Sequence, residues 1–349
     1  MEVNSRNQFP GIRFAMNAKL LLFAAAAALV VGCNGSSNET GSTPTPTANS
    51  GADFKVALLT PGPVSDAGWC AMAYDGLQQI KTQMGATVNN QEAKGTQISD
   101  AMRTYAQQGY NLVIGHGYEY NEPEIKVAGD FPKTVFVSSS GGSTAANAGA
   151  FRFYLEQGFY LAGEMAGKMT KTGKIAMIGG ESVPSIESTF KAFIAGAKAA
   201  NPKVEVIKIY CGSFDDPAKA KLSTLQAINQ GADFVIHQAN AAAQGVFDAC
   251  KEKGVYAFGS NADQNANQSG AVIGSAVIIA GPAFLDLAKQ VKEGTYKGSI
   301  QLMGMDKGTI GFVINPAMQS KVPADVQKML VDDAAKIKSG ALVVPMDKF

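Results

Sequence analysis

The feature that most constrains this chain is a regular alternation of short apolar runs with segments of helix length, which begins at Phe54. The apolar runs predict strands at residues 54–60, 86–91, 111–116, 133–138, 174–178, 203–209, 233–237 and 255–259. The intervening segments predict helices at residues 67–84, 96–108, 121–130, 155–170, 187–200, 216–230 and 242–253. Runs such as Leu112-Val113-Ile114 are apolar at consecutive positions, which is typical of parallel strands covered on both faces. The alternation therefore predicts a doubly wound α/β fold.

The chain also repeats itself, which predicts two similar lobes. Residues 107–114 and 229–236 each end a helix at a glycine and continue into a buried strand. A length of 349 residues is large for one hydrophobic core. We predict a first lobe over 53–172, completed by part of 280–315, and a second over 173–279, completed by part of 316–349. The first passage between the lobes is expected near residue 172.

The start of the chain resembles a bacterial lipoprotein signal, which we assign to residues 1–33. Lys19 precedes a 12-residue apolar run at 20–31, followed by Gly32 and Cys33. The run is shorter than the ~20 residues that a spanning helix needs, so an uncleaved anchor is the less favoured alternative. Residues 34–52 are rich in Ser, Thr, Pro and Gly, which predicts a flexible tether. We expect an extracytoplasmic domain attached to a membrane through lipid on Cys33.

Composition and motifs argue against several functional classes. The net charge of +1 gives no reason to expect nucleic-acid binding. The sequence contains no G-x-S-x-G or G-x-x-x-x-G-K-[ST] motif, and its two histidines form no H-E-x-x-H motif. We therefore expect no enzyme, metal site or cofactor; the one catalytic alternative is Cys70 paired with His116 or His237. Besides Cys33 the chain has three cysteines. A disulfide between Cys211 and Cys250 is one possible pairing, which the sequence does not decide.

A loop at residues 60–70, between the first strand and the first helix, is the leading candidate for a ligand site. In open α/β sheets, ligands bind outside the carboxyl ends of the strands. This loop carries Asp66, Cys70 and Trp69, the only tryptophan of the chain. Trp69 offers a flat face for stacking, and Asp66 offers an acceptor for a ligand amine. The alternatives are a core tryptophan and an aspartate that caps the following helix.

Other candidate site residues follow later strands and would face the same crevice. Phe214 is the predicted aromatic face of the second lobe, with a packing residue as the alternative. The remaining candidates are polar or aromatic side chains in strand-end loops: His116, Tyr118, Gln238, Asn240, Asn261 and Asp263. Amides read donor and acceptor edges well. Each of these polar side chains has an alternative role in satisfying loop backbone.

Several motifs in a fixed order resemble the Bmp (basic membrane protein) family of lipoprotein substrate-binding proteins. They are Asp66-Ala67-Gly68-Trp69, Phe151-Arg152, residues 158–163, Gly196-Ala197, Asn201-Pro202, residues 212–217, residues 230–233 and residues 259–264. The resemblance covers nearly all of 54–315. It implies a type I periplasmic-binding-protein fold that serves an ABC importer, and family members that bind purine nucleosides or related compounds.

Two departures from the family pattern bear on the ligand. Nucleoside-binding members usually carry an Asp where this chain has Asn261, and a Lys near Ile278, and these hold the ribose hydroxyls. Losing both removes the charged pair that a diol would use, and the Gly68-Trp69 form resembles a sub-branch that binds free nucleobases. The resemblance thus implies a monomeric, lipid-anchored receptor for a purine, with an adenine-like nucleobase favoured, and an ABC permease as partner. The alternatives are a purine nucleoside, then a sugar or flavin receptor, and last a nucleoside hydrolase.

Overall fold

The computed structural model describes residues 54–66 and 68–348, which form two six-stranded sheets with helices packed on them. The strands are β1 (Lys55–Thr60), β2 (Thr87–Glu92), β3 (Leu112–Gly115), β4 (Val135–Ser139), β5 (Ala148–Phe153), β6 (Lys174–Gly179), β7 (Glu205–Tyr210), β8 (Phe234–Gln238), β9 (Tyr256–Asn261), β10 (Val272–Ile278), β11 (Ile300–Met303) and β12 (Ile310–Ile314). The helices are α1 (Trp69–Met84), α2 (Gln97–Gln107), α3 (Asn121–Ala128), α4 (Glu156–Met169), α5 (Pro184–Ala200), α6 (Pro217–Asn229), α7 (Ala243–Lys253), α8 (Ala280–Lys292) and α9 (Ala324–Ser339). Short 3₁₀ turns complete some of the loops.

The two sheets have the same strand order, which confirms the predicted two-lobed α/β fold. The first lobe is built on the order β2-β1-β3-β4-β5-β11, and the second on β7-β6-β8-β9-β10-β12. In each sheet the order reverses beside the first strand to enter, and such a reversal opens a crevice at the carboxyl ends of the strands. The loops that follow β1, β3, β6 and β8 therefore lie at the crevices of their lobes.

Burial explains the strand pattern. The central strand β3 is buried at all four positions, as its continuous apolar run predicts. The edge strand β2 reads Thr-Val-Asn-Asn-Gln-Glu and is mostly exposed. Polar side chains on an edge strand discourage pairing with another chain.

Helix α4 packs on the second lobe, which corrects the predicted position of the first passage near residue 172. It contacts α5, β10 and β12. Glycines bring α4 and α5 into close approach, because a Cβ added at Gly163 would lie 2.1 Å from the Phe193 carbonyl oxygen. A Cβ added at Gly196 would lie 2.0 Å from the Tyr160 carbonyl oxygen. The chain therefore leaves the first lobe before α4, at residues 154–155.

Three passages connect the lobes side by side: residues 154–155, residue 279 and residues 304–309. The second delivers α8 to the first lobe, where it packs against α1. Hydrogen bonds hold the passages together. The Tyr154 N–H donates to the carbonyl of Met303, directly before the third passage (2.8 Å), and the Ile279 N–H donates to the Thr309 carbonyl within it (2.8 Å). The third passage delivers β12, which pairs antiparallel with β10, whereas strict alternation predicts parallel pairing throughout.

Further predictions concern the cysteines and the amino-terminal segment. Cys70, Cys211 and Cys250 are all free thiols, so the Cys211–Cys250 disulfide left open by the sequence does not form in this structure. Within 54–66 and 68–348, no helix combines the length and apolar character needed to cross a bilayer. The predicted signal at 1–33, lipidated Cys33 and tether at 34–52 lie outside the described residues and stay predictions.

Candidate ligand-binding site

A cavity of about 510 Å³ lies between the strand-end loops of the two lobes. This volume falls within the range of about 300–1,000 Å³ typical of small-molecule sites. Eight of the side chains predicted from sequence line it: Asp66, Trp69, Cys70, Tyr118, Phe214, Gln238, Asn240 and Asn261. Residues from both lobes therefore meet at one space, as the crevice rule predicts.

Trp69 forms the first-lobe wall of the cavity and is fixed from behind by His116. The two rings stack with centroids 3.9 Å apart. The Trp69 Nε1–H donates to the His116 carbonyl oxygen (3.3 Å), and the His116 Nε2–H donates to the Trp69 carbonyl oxygen (2.9 Å). On the other side of the imidazole, Nδ1 accepts a hydrogen bond from the Ser139 hydroxyl (2.7 Å). One face of the indole is thus covered by His116, and the Trp69 side chain also lines the cavity.

Asp66 caps the start of α1, which confirms the capping alternative. Its carboxylate accepts hydrogen bonds from the backbone N–H groups of Gly68, Cys70 and Ala71, each at 2.9 Å. Capping of this kind satisfies donors that the first helical turn leaves free. Asp66 lies at the cavity edge, but its carboxylate is already occupied by the backbone.

Cys70 lies at the cavity with its thiol protonated. Burial and the nearby Asp66 carboxylate raise the pKa of the Cys70 thiol. Burial lowers the pKa of His116 to about 3 and that of His237 to about 4, so both imidazoles are neutral. A Cys–His dyad needs the opposite shifts, which favour a thiolate beside an imidazolium. These environments argue against Cys70 as a nucleophile activated by either histidine.

Phe214 lines the second-lobe side and rests on Gly180. A Cβ added at Gly180 would lie 2.3 Å from a ring carbon of Phe214, so only glycine leaves room for the ring. Asp216 begins helix α6 by accepting from the Ala218 and Lys219 N–H groups (3.0 and 3.2 Å). This cap fixes the end of the loop that carries Phe214, as the sequence Asp216-Pro217 predicts.

A chain of side-chain hydrogen bonds runs along the second-lobe wall. The Asn261 amide donates to Gln238 Oε1 (3.3 Å), and the Gln238 amide donates to Thr189 Oγ1 (3.4 Å). Thr189 in turn donates to the Ile186 carbonyl (2.9 Å). The first two bonds are long for N–H···O contacts, whose usual distance is about 2.9–3.0 Å. The three polar side chains line the cavity. Each one donates to the next acceptor along the chain, from Asn261 toward the Ile186 carbonyl.

Backbone strain concentrates at the cavity. Among the described residues, the non-glycine residues with positive φ are Ser140 (79°), Asn240 (44°) and Asn261 (67°). All three line the cavity. Such conformations cost free energy and cluster at functional sites.

Two predicted site residues do not line the cavity. His116 is fully buried behind Trp69, so its role is to support that ring. Asp263 accepts a hydrogen bond from the Asn265 N–H (3.0 Å) and so stabilises a turn within its own loop. Both follow strands at the crevice, but the His116 side chain is buried in the protein and Asp263 is exposed outside the cavity. Conversely, Arg152, Thr189 and Ser140 line the cavity although the sequence did not predict them as site residues.

The cavity carries more acidic than basic side chains, and its two cationic groups are ion-paired. The acidic side chains are Asp66, Glu119, Glu181 and Asp215. Lys94 pairs with Glu92 (3.2 Å), and the Arg152 guanidinium donates to the Glu156 carboxylate. The electrostatic potential of the site therefore favours neutral or positive ligands over anions.

Comparison with known proteins assigns the chain to a family. A family model described as Bmp, ABC transporter substrate-binding protein PnrA-like, matches residues 54–348. The chain belongs to the Bmp family. This confirms the resemblance found in the sequence. Substrate-binding proteins of this family are not enzymes, and they act outside the cytoplasm.

Individual relatives of this Bmp protein carry different names. The chain is 29% identical to a purine-binding protein of Brucella abortus over 293 residues, which cover 83% of this chain and 82% of the relative. It is 30% identical to the transcriptional activator protein med of Bacillus subtilis over 259 residues, covering 73% and 80% of the two chains. An ABC transporter solute-binding protein of Aeropyrum pernix superposes with a TM-score of 0.76 at 21% identity, covering 84% and 94%. The last likeness supports the fold alone.

Proposed function

We propose that this Bmp protein captures a purine between its lobes, with a free adenine-like nucleobase favoured, and delivers it to an ABC permease. The observation that carries the proposal is that Trp69 and Phe214, one from each lobe, line the same cavity. Stacking a base on an aromatic side chain contributes about 1–3 kcal/mol. The name of the Brucella abortus relative supports the same ligand class.

The second-lobe polar chain supports recognition of the base edge. Asn261, Gln238 and Thr189 line the cavity and together present amide and hydroxyl groups. An amide offers a donor beside an acceptor, which matches the amine and ring nitrogen on one edge of adenine. A ligand that lacks these groups would leave buried polar atoms unpaired, and this discriminates between ligands.

The electrostatics support an uncharged purine over a nucleotide. A phosphate binds well at a helix N-terminus that offers free N–H groups. At α1 those groups are already bound to Asp66. The cations of Lys94 and Arg152 are paired with Glu92 and Glu156. At the start of α1, a nucleotide phosphate would meet the Asp66 carboxylate instead.

The departures at Asn261 and Ile278 support a free base over a nucleoside. Both side chains line the cavity, where nucleoside-binding members carry the charged pair that holds ribose. Ile278 is buried and offers no hydrogen bond. The Asn261 amide donates to Gln238 rather than standing as a carboxylate ready for a diol. A purine nucleoside is the alternative ligand.

The ligand assignment is tested by titrating the full chain with adenine, hypoxanthine, adenosine, AMP, ribose and riboflavin. Calorimetry gives affinities, and quenching of the single tryptophan reports on Trp69. We expect adenine to bind most tightly, adenosine more weakly and AMP not at all. Binding of ribose or riboflavin without any purine would reject the proposal, and tighter binding of adenosine would select the nucleoside alternative.

Membrane attachment is a separate part of the proposal. A lipid on Cys33 would keep the receptor near its permease, with residues 34–52 as the tether, and the receptor acting as a monomer. Replacing Cys33 by Ala should move the protein from the membrane fraction to the soluble fraction. Unchanged membrane association of Cys33→Ala would reject the lipid anchor and leave the ligand proposal intact.

A further inference from the structure

Arg152 connects the ligand cavity to a buried carboxylate. Its side chain lines the cavity from the end of β5. The guanidinium donates through Nη1 to the Phe153 carbonyl (2.8 Å) and through Nη2 to Glu156 Oε1. Glu156 lies in the first turn of α4 and is fully buried. Because a buried ion pair is stable only when its remaining hydrogen-bonding groups are satisfied, the other partners of Glu156 influence Arg152.

Ser188 supplies the second partner of Glu156. Its hydroxyl, fully buried on α5, donates to the same Oε1 atom that accepts from Arg152. The Ser188 oxygen also accepts a hydrogen bond from the backbone N–H of Asp347 (2.9 Å). A continuous relay therefore runs from the Asp347 N–H through Ser188 and Glu156 to Arg152 at the cavity.

The last described segment of the chain is fixed at separate points, by contacts with the first passage and with the second lobe. Residues 342–348, termed the strap, have no regular secondary structure. Val344 is 2% exposed and packs in the main core, and its carbonyl accepts a hydrogen bond from the Tyr154 hydroxyl. Tyr154 belongs to the first passage between the lobes. The strap thus binds a passage residue at one point and the relay at another.

We propose that the strap sets the position of Arg152 in the ligand cavity, with Glu156 and Ser188 as positioning residues. Strap, passage and cavity side chain are joined by hydrogen bonds, so loosening the strap lets the Arg152–Glu156 pair shift. The effect on ligand affinity rests on the proposed function of the cavity. The effect on the order of the relay does not.

The matched variants Asp347→Pro and Asp347→Ala test the relay. Proline removes the backbone N–H that donates to Ser188, whereas alanine keeps this N–H and removes only the surface ion pair with Lys191 (2.6 Å). We expect Asp347→Pro to weaken adenine binding about tenfold, as for loss of a hydrogen bond within a charged network. The adenine affinity of Asp347→Ala should stay within about twofold of that of Lys191→Ala, a variant that removes the same ion pair through its other partner.

Two further measurements test the relay. Ser188→Ala should weaken binding as much as Asp347→Pro, and the double variant no further, because both changes interrupt one relay. In the unliganded chain, amide hydrogen exchange over residues 150–158 should rise in Asp347→Pro and Ser188→Ala but not in Asp347→Ala. Equal exchange in Asp347→Pro and Asp347→Ala would overturn the strap proposal. Failure of wild-type protein to bind adenine would overturn the proposed function instead, and the exchange comparison would still decide the strap.

Discussion

The two walls of the cavity are built differently. The first-lobe wall is closed on itself, because Trp69 and His116 exchange reciprocal hydrogen bonds and stack at 3.9 Å. The second-lobe wall pairs Phe214, which rests on a glycine, with an amide chain whose bonds measure 3.3 and 3.4 Å. The first wall offers a flat surface whose own polar groups are satisfied. The second offers polar groups that a ligand can engage.

This difference indicates a division of labour in recognition. A preformed stacking face lowers the ordering cost of binding but distinguishes poorly between bases. Polar groups with weak internal bonds discriminate better, because a matched ligand replaces the long contacts with short ones. We therefore expect the first lobe to supply most of the affinity and the second lobe most of the selectivity.

The largest expected effect concerns the stacking wall. Replacing Trp69 by Ala should weaken adenine binding by about 2–3 kcal/mol, and replacing Phe214 by Ala by about 1 kcal/mol, within the range measured for base stacking. Calorimetry on both variants measures the difference, and Trp69→Phe serves as a control that retains a ring. A loss of affinity in Phe214→Ala equal to or above that in Trp69→Ala would contradict the proposed difference between the two walls.

The next effect is the response of stability to acid. Burial lowers the pKa of His116 to about 3 and that of His237 to about 4, whereas in the unfolded chain histidine titrates near 6.5. Between these values the unfolded state binds protons that the folded state does not, so stability falls as pH drops below about 6.5. At about pH 5 each of the two histidines should lower the free energy of unfolding by about 2 kcal/mol.

Denaturant unfolding at about pH 7 and about pH 5 measures this response. His116→Asn should lose about 2 kcal/mol less than wild type over that interval, because one of the two buried histidines is gone. The same variant should also weaken adenine binding, since Trp69 loses its stacked support, whereas His237→Asn should leave the first wall unchanged. Equal effects of both variants on affinity would contradict the supporting role of His116.

The smallest effect concerns the selective wall. Thr189→Val removes the hydroxyl that accepts from Gln238, and it should weaken adenine binding by about 1 kcal/mol. Thr224→Val is a matched control, because Thr224 is a buried helical threonine whose hydroxyl donates to the Ala220 carbonyl (2.7 Å) outside the cavity. The ratio of adenine to hypoxanthine affinity should fall only in Thr189→Val. An unchanged ratio would assign selectivity elsewhere.

Local sequence patterns predicted most of the fold but not the partners of each element. Continuous apolar runs such as β3 identify central strands without knowledge of the rest of the chain. Strand β5 was not predicted, because its small residues and Arg152 interrupt the apolar pattern. Strand β10 was not predicted, because Gly274 and Ser275 divide its apolar run. The position of helix α4 could not be predicted, because the alternation of strands and helices does not say on which sheet a helix packs, and the glycine contacts with α5 are not visible in the sequence pattern.

The candidate site shows the same limit. Strand-end position predicted that Trp69 and Phe214 reach one cavity, and chain order alone suffices for that. It does not fix the direction of a side chain, so His116 was expected to face the ligand and instead lies behind the indole. The strap has no local signal at all, because Tyr154 and Val344 are 190 residues apart in sequence.

The three hydrogen-bonded passages between the lobes have a mechanical consequence. A single connecting strand would let one lobe twist, tilt and slide against the other. Three passages side by side resist twisting and sliding, so we expect the lobes to move mainly by rotation about the line that crosses the passages. Opening by such a hinge rotation would separate Trp69 from Phe214. A departing ligand would leave at the edge farthest from residues 154, 279 and 304–309.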